Sequence, residues 1–344
     1  MDNLARFLLI GNMWKSGSET SDECNIRDSL KDYGYGVTDY NKFYIEKVFE
    51  DKPKVDVTLI WKGGEFTSDM IARLRELNPG KPIYYIQHDL MEANIHTDAT
   101  MEQRNPTSLP TQHFQQARNC DAYFSKELGW RKQYEDAGVN FIYWPEDACP
   151  NFYDEPVKDE NYERRCEILG LTRDCDVILT ATWSDMGIDR AKYLEPLRDS
   201  GLDFTVFSLN PDAWQDRGYK AQSGAWDENN CLIISKAKIN IALDWRHDVE
   251  GYWSDRIFQI MGAGGFVLAK YTLGMERAFG GDEENLVYWS EPEDLIKKCK
   301  YYLEHEEERG IIANMGYEYC HKYNKFGTRV GQLLTILKYN FKVI

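Results

Sequence analysis

Residues 252–270 read YWSDRIFQIMGAGGFVLAK, and this stretch predicts a helix, a glycine-rich turn and a strand in that order. Ile257, Ile260 and Met261 recur at the i, i+3 and i+4 spacing that gives a helix one buried stripe. Gly262–Gly265 end this helix and allow a tight turn into the apolar run FVLA. A dinucleotide fingerprint would need the strand before the glycines, so nicotinamide chemistry is not supported.

A second face of the same helix carries polar side chains. Arg256 and Gln259 lie three residues apart on it, and Ser254 or Asp255 can cap its start. The free N–H groups at a helix start and the charge of Arg256 together suit a phosphate. The alternative is that Arg256 and Gln259 face solvent and that the glycines only form a turn.

The same alternation of short apolar runs and amphipathic runs extends through most of the chain. One series runs from RFLLIG to VNFIYWP, and a second runs from CDVILTATW to the end, with a polar, proline-containing segment between them. Strands that alternate with helices predict parallel sheets covered on both faces. The sequence therefore predicts α/β architecture: two Rossmann-like doubly wound domains, residues 1–150 and 151–326, facing a central cleft. A final helix at 327–344 is expected to pack back on the first domain.

Composition narrows the functional classes. The 344 residues include 41 basic and 57 acidic ones, and the formal net charge of −16 argues against sequence-blind capture of nucleic acid or acidic membrane. The opening MDNLARFLLIGN is too short and too acidic for a signal peptide or a membrane span, which predicts a cytoplasmic protein. The eight scattered cysteines have no metal-ligand spacing and are expected to be free thiols.

The second half of the chain carries a family resemblance. ISKAKINIALDWRHDVEGYWSDRIFQIMGAGGFVLAKYTLGMERAF and the later PEDLIKKCKYYLEHEEERGIIANMGYEYCHKYNKFGTR resemble the donor-binding half of CgeB-like glycosyltransferases of the GT-B superfamily. The resemblance covers residues 232–330, and its pattern finishes at Phe326 and Arg329. It implies a nucleotide-sugar donor, UDP-linked by default, held by the second domain and an acceptor held by the first.

The resemblance also assigns roles to residues of the opening stretch. Arg256 would contact the donor diphosphate, and the Gly264–Gly265 turn would let the backbone approach it. Gln259 stands where the family has a glutamate that holds the ribose hydroxyls, and a neutral amide is a weaker acceptor than a carboxylate. Ser254, at the start of the helix, is a further candidate for donor binding.

The loop in LTATWSDMGIDRAKYL lies where GT-B enzymes place a basic diphosphate-binding residue. Arg190 is the candidate there, with Thr182 as a second donor contact; the alternative for Arg190 is a solvated helix position. Trp183 and Trp226 are candidates for stacking on the nucleobase, although tryptophans at such places more often pack in a core.

Candidate catalytic residues follow a strand of the first domain. In PIYYIQHDLMEANIH, His88 and Asp89 come just after the apolar run, and either could serve as the base of an inverting transferase. The alternative is a His-Asp pair that only caps a turn. Glu92 and His96 are second choices on the same loop. Lys15 or Ser16, on the loop after the first strand, could contact the donor phosphate or the acceptor, although such loops are also ordinary surface.

The sequence thus predicts a metal-independent hexosyl- or pentosyltransferase without a bound cofactor. The acceptor is either a hydroxymethylated base in phage DNA or a surface glycan or protein, and the oligomeric state is open. A DNA acceptor requires that six residues form one basic face: Lys15, Arg27, Arg104, Arg118, Arg131 and Lys132. Two alternatives are a non-catalytic nucleotide- or glycan-binding module and a nucleotide-sugar epimerase.

Overall fold

The computed structural model describes most of the chain. The chain folds into two compact units. The described residues are 4–13, 21–61, 66–86, 116–145, 147–151, 153–156, 158, 160–171, 174–183, 188–224, 228–244 and 247–344. The first unit contains the described residues up to Asn151 together with Lys325–Ile344. The second contains the described residues of Phe152–Asn324.

The first unit is built on a six-stranded parallel sheet in the order β2-β1-β3-β4-β5-β6. Its strands are β1 (Arg6–Gly11), β2 (Gly36–Asn41), β3 (Val57–Trp61), β4 (Ile83–Ile86), β5 (Ala122–Ser125) and β6 (Phe141–Tyr143). Its helices before the crossover are α1 (Asp22–Asp32), α2 (Ile45–Asp51), α3 (Ser68–Leu77) and α4 (Arg131–Asp136). The central strands β3, β4 and β5 are buried along their whole length, as expected for a parallel sheet with both faces covered.

The second unit repeats this architecture with a different strand order, β12-β11-β10-β7-β8-β9, and all its strand pairs are parallel. Its strands are β7 (Cys175–Thr180), β8 (Phe204–Ser208), β9 (Ala221–Ser223), β10 (Ala237–Ala242), β11 (Val267–Lys270) and β12 (Val287–Trp289). Its helices are α5 (Glu160–Ile168), α6 (Ile188–Arg198), α7 (Pro211–Gln215), α8 (Glu228–Ser235), α9 (Arg256–Gly262), α10 (Met275–Phe279), α11 (Pro292–Glu304) and α12 (Glu306–Tyr323). The prediction of two doubly wound parallel sheets is confirmed.

Local sequence fixes several helix starts. The Ser21 hydroxyl accepts a hydrogen bond from the Cys24 N–H at 3.2 Å at the start of α1, and Thr67 caps α3 in the same way. Pro211 and Pro292 occupy the first turns of α7 and α11, where a missing N–H costs nothing.

The last helix, α13 (Phe326–Ile336), packs on α1 within the first unit. Its apolar face belongs to the same buried cluster as the sheet, through Phe326, Val330, Leu333 and Leu334. The chain therefore crosses to the second unit after Asn151 and returns at Lys325. No helix in the described part of the chain is long and apolar enough to cross a membrane.

Candidate functional site

The second sheet reverses its strand order between β7 and β10. The chain builds outward from β7 to β8 and β9 on one side, then returns to add β10, β11 and β12 on the other. Loops leaving two neighbouring strands in opposite directions open a crevice outside the carboxyl ends of those strands, and ligands of open α/β sheets bind there.

Arg256, the first residue of α9, joins the carboxyl ends of these two strands. Its Nε donates to the carbonyl oxygen of Thr180 at 2.9 Å, and its Nη1 donates to the carbonyl oxygen of Leu243 at 3.3 Å. Nη1 also contacts Asp244 Oδ1 at 2.9 Å. Among the described residues, Nη2 has no acceptor, and 17% of the side chain is exposed. Two of the three guanidinium nitrogens, Nε and Nη1, are therefore held by the fold, and Nη2 has no acceptor among the described residues.

Asp244 is the carboxylate of this site. It lies two residues after the end of β10 and is 5% exposed. The Ser254 hydroxyl donates to Asp244 Oδ1 at 2.5 Å and the Ser254 N–H donates to Oδ2 at 3.1 Å. Burial acts to raise the pKa of Asp244, but Arg256 and the Ser254 hydrogen bond outweigh it and hold that pKa below its ordinary value. Ser254 thus positions the partner of Arg256 and does not cap α9.

Arg190 is a second buried cation, on α6 just after the β7 loop. It is 5% exposed, and burial together with the charge of Arg256 lowers its pKa to about 9, while Asp244 acts in the opposite direction. The guanidinium is still protonated at neutral pH. The position is buried, so the alternative of a solvated helix arginine is excluded.

His247 and Lys270 complete the group. Burial lowers the pKa of His247 to about 4, so its ring is neutral at pH 7, and the charges of Asp244, Lys270 and Arg190 act on it. Its Nδ1 lies 3.3 Å from Thr272 Oγ1. We call Arg190, Asp244, His247, Arg256 and Lys270 the strand-end cluster. At neutral pH it holds three cations and one carboxylate.

Gln259 lies one turn beyond Arg256 and is bound within its own helix. Its Nε2 donates to Asp255 Oδ2 at 2.8 Å. Asp255 occupies the N-cap position but makes no capping hydrogen bond with its side chain. The ribose-binding role of Gln259 stays a prediction.

The Gly264–Gly265 turn lies at the opposite edge of the sheet from Arg256. It immediately precedes β11, at the amino ends of the strands, whereas Arg256 binds residues at their carboxyl ends. A Cβ on Gly265 would lie 2.5 Å from Ile234 Cγ2 and 2.8 Å from Ile260 Cγ2. The structure therefore does not bring this turn to the diphosphate contact expected of it. It explains Gly265 by helix–sheet packing and Gly264 by a φ of 75°.

The remaining predicted residues divide into three groups. Thr182 is exposed just past the carboxyl end of β7, close in sequence to the anchor of Arg256. Trp183 is buried in the core, packs edge-on against Trp214 at 4.8 Å and lies under Arg217 at 3.9 Å, so its role is packing. Eight predicted positions lie outside the described residues: Lys15, Ser16, His88, Asp89, Glu92, His96, Arg104 and Trp226.

Sequence reasoning missed Asp244, His247 and Lys270. Asp244 and Lys270 stand at the ends of the runs KINIALD and FVLAK, so the signal was a charged residue closing an apolar strand. In the part of the chain that the structure describes, no group of three or more His, Cys, Asp or Glu side chains could hold a metal ion.

Comparisons with known proteins agree with this architecture. A family model described as "Glycosyl transferase-like" matches residues 190–335, a range that contains the whole strand-end cluster. None of the curated proteins matches the sequence. The fold is similar to that of sucrose-phosphate synthase from Thermosynechococcus elongatus, with a TM-score of 0.69, 12% identity and coverage of 99% of this chain and 100% of that one.

Two further structures of similar fold contain a uridine nucleotide. Anabaena HepE in complex with UDP and glucose gives a TM-score of 0.67 at 11% identity, with 97% of this chain and 99% of that chain covered. A mutant of T4 phage BGT in complex with UDP-glucose gives 0.59 at 12% identity, with 98% and 99% covered. These likenesses confirm the predicted GT-B fold.

Proposed function

We propose that the protein is a glycosyltransferase that takes its sugar from a UDP-linked donor bound at the strand-end cluster. The observation that carries the proposal is Arg256, which spans the carboxyl ends of β7 and β10 at the reversal of the strand order and keeps Nη2 without an acceptor among the described residues. The match to a glycosyltransferase-like family over residues 190–335 supports it. The uridine nucleotides in HepE and T4 BGT support the choice of base.

In sugar transfer from a UDP-linked donor, the strand-end cluster has to stabilise the leaving group, which is UDP. An acceptor hydroxyl oxygen bonds to the anomeric carbon, the bond from that carbon to the diphosphate oxygen breaks, and the electron pair leaves with UDP. Fixed cations near the departing oxygen stabilise the charge that develops there, and they act strongly because the surroundings are already ordered and partly dry. Arg256 and Arg190 have this role. The hydroxyl proton passes to a base, for which His88 and Asp89 stay the predicted residues.

The acceptor is proposed to be a hydroxyl of a glycan or protein. Three of the residues needed for a basic DNA-binding face are paired with acids: Arg27 with Asp28 at 2.7 Å, Arg131 with Glu135 at 2.8 Å and Lys132 with Asp136 at 2.7 Å. Pairing reduces the charge available to phosphates. Salt-sensitive binding to duplex DNA containing hydroxymethylated bases would favour the DNA acceptor instead.

Thermal unfolding with UDP-, GDP-, ADP-, CMP- and TDP-linked sugars tests the donor assignment. A ligand that binds only the folded state raises the free energy of unfolding by RT ln(1 + [L]/Kd). We expect stabilisation by UDP and UDP-glucose, and release of UDP from UDP-glucose once an acceptor is supplied. Retained release in EDTA would support the predicted metal independence, and binding without release under any acceptor would favour the non-catalytic module.

Arg256→Lys identifies the site. It keeps the charge next to Asp244 but loses the planar fork that reaches two carbonyl oxygens, and we expect UDP affinity to fall by about tenfold or more. Arg198→Ala is the control, because Arg198 ends α6, pairs with Asp199 at 2.7 Å and lies outside the cluster. Equal UDP affinity in wild type and Arg256→Lys would contradict the site assignment.

A further inference from the structure

Lys270 is a buried lysine that has no acceptor among the described residues. It is the last residue of β11 and 9% exposed. Among the described residues its Nζ makes no hydrogen bond or ion pair. It lies instead near two aromatic rings, 5.3 Å from the centroid of Tyr193 and 5.6 Å from that of Trp289.

This arrangement is costly for the fold. A buried ammonium loses its hydration, and here desolvation lowers the pKa of Lys270. Attraction to the two rings offsets part of the loss. Glu291 and Asp294 act on Lys270 only at longer range, and Lys192 opposes them. A lysine kept in such a position is more easily explained by an anionic ligand than by the stability of the fold.

The position of Lys270 places it beside the donor site. β11 is the neighbour of β10, and Ala269 pairs with Ala242, so Lys270 is level with Leu243, whose carbonyl oxygen accepts from Arg256. Neighbouring strands lie about 4.8 Å apart. Tyr193, one of the rings near Lys270, also packs edge-on against His247 at 5.8 Å, which connects Lys270 to the rest of the cluster.

We propose that Lys270 binds the diphosphate of the nucleotide-sugar donor as a second cation beside Arg256; this inference rests on the proposed function. Charge balance supports it. Arg190, Arg256 and Lys270 with one carboxylate give the strand-end cluster a net charge of +2 while His247 is neutral, and the diphosphate of a nucleotide sugar carries two negative charges. When the bond to the anomeric carbon breaks, the leaving UDP gains a further negative charge, which Lys270 stabilises.

Calorimetric titration of Lys270→Met with UDP, UDP-glucose and inorganic pyrophosphate tests the inference. We expect all three to bind about tenfold or more weakly, because a charged partner of the diphosphate is lost. Lys270→Arg should restore most of the affinity. The ligand-free Tm of Lys270→Met should rise, since the uncompensated buried charge is removed.

Lys192→Met is the matched control. Lys192 lies 5.2 Å from the centroid of the same Tyr193 ring but is exposed to solvent on α6. Because solvent screens its charge, its removal should change the affinities and the Tm far less than Lys270→Met does.

Four outcomes would count against the inference or against the function beneath it. A lower Tm for Lys270→Met with affinities within about twofold of wild type would make Lys270 a structural cation held by the rings. Weakened binding of UDP-glucose, with UDP and pyrophosphate bound as in wild type, would assign Lys270 to the sugar and overturn the diphosphate contact. A wild type that binds pyrophosphate but no UDP would contradict the proposed function. The contact of Lys270 with a diphosphate would then be decided by the pyrophosphate affinity of Lys270→Met. A wild type that binds neither would overturn both.

Discussion

Each of the two sheets has a buried lysine at the carboxyl end of an interior strand, and the two lysines differ in their partners. Lys126 comes directly after β5 in the first unit and pairs with the Asp147 carboxylate, both side chains being 1% exposed. Lys270 closes β11 in the second unit and has no carboxylate within ion-pair distance among the described residues. The same residue type at the carboxyl edge of a parallel sheet is compensated in one unit and uncompensated in the other.

We propose that this difference separates a structural charge from a functional one. A buried ion pair neutralises itself and leaves nothing for a ligand. An excess of buried cations destabilises the protein until an anion arrives, and such excess is typical of binding sites. Arg256 lies between these cases, since its Nε and Nη1 are bound to the fold while its Nη2 has no acceptor among the described residues.

The largest effect is expected from Lys126→Met. It leaves the Asp147 carboxylate buried without its cation, which should lower the free energy of unfolding by about 3–5 kcal/mol. Chemical denaturation measures this loss. UDP affinity of the folded protein should stay within about twofold of wild type.

The double variant Lys126→Met, Asp147→Leu is the control for that experiment. Because it removes both charges, it should recover much of the lost stability. A stability for Lys126→Met equal to that of wild type would show that the pair contributes nothing, and the contrast with Lys270 would fail.

A smaller loss is expected from Gly265→Ala, which tests the amino edge of the second sheet. Its Cβ would lie 2.5 Å from Ile234 Cγ2 and 2.9 Å from Asn240 Nδ2. Overpacking of this kind should cost up to about 3 kcal/mol, measured by denaturation, with UDP affinity unchanged in the folded protein. If Gly265→Ala keeps the stability of wild type but loses UDP affinity, the Gly264–Gly265 turn is a donor contact after all.

His247 should give the smallest effect, and it depends on pH. Its folded pKa of about 4 lies below the ordinary value of 6.5, so the unfolded chain binds a proton between these pH values that the folded chain excludes. Stability is therefore lost as pH falls from 6.5 towards 4. Four charged groups act on the ring, namely Asp244, Lys270, Arg190 and Asp248.

His247→Asn should remove this dependence and recover about 2 kcal/mol at pH 4.5 relative to pH 7, measured by thermal unfolding at both pH values. If wild type and variant lose the same stability over this interval, the protonation of His247 is not the cause. Asn also keeps a polar group near Thr272, which limits the change to the titration itself.

The sequence predicted the fold well because each element carries its own periodicity. Runs such as VTLIW and the Ile257, Ile260, Met261 stripe are patterns of local spacing. They can be recognised without knowing which elements are neighbours in the fold. Arg256 was predicted as a donor contact because a helix start and an arginine coincide, and this role stays a prediction. The glycine turn was misplaced because a sequence does not say at which edge of a sheet a turn lies until the strand order is known.

Asp244 and Lys270 were not predicted as site residues, for a related reason. Their significance comes from which strands are neighbours: β10 beside β7 on one side and β11 on the other. Whether a buried charge has an opposite charge beside it depends on how the side chains pack. In the sequence alone, Lys270 in FVLAK therefore looks like an ordinary strand end. The same limit applies to Gln259, whose bond to Asp255 is visible only in the folded helix.

The most direct test of the central claim is a crystal structure of the protein with UDP. The account predicts the diphosphate at the carboxyl ends of β7 and β10, within hydrogen-bond distance of Arg256 Nη2 and Lys270 Nζ. Diphosphate density elsewhere, for example at the Gly264–Gly265 turn, would contradict it.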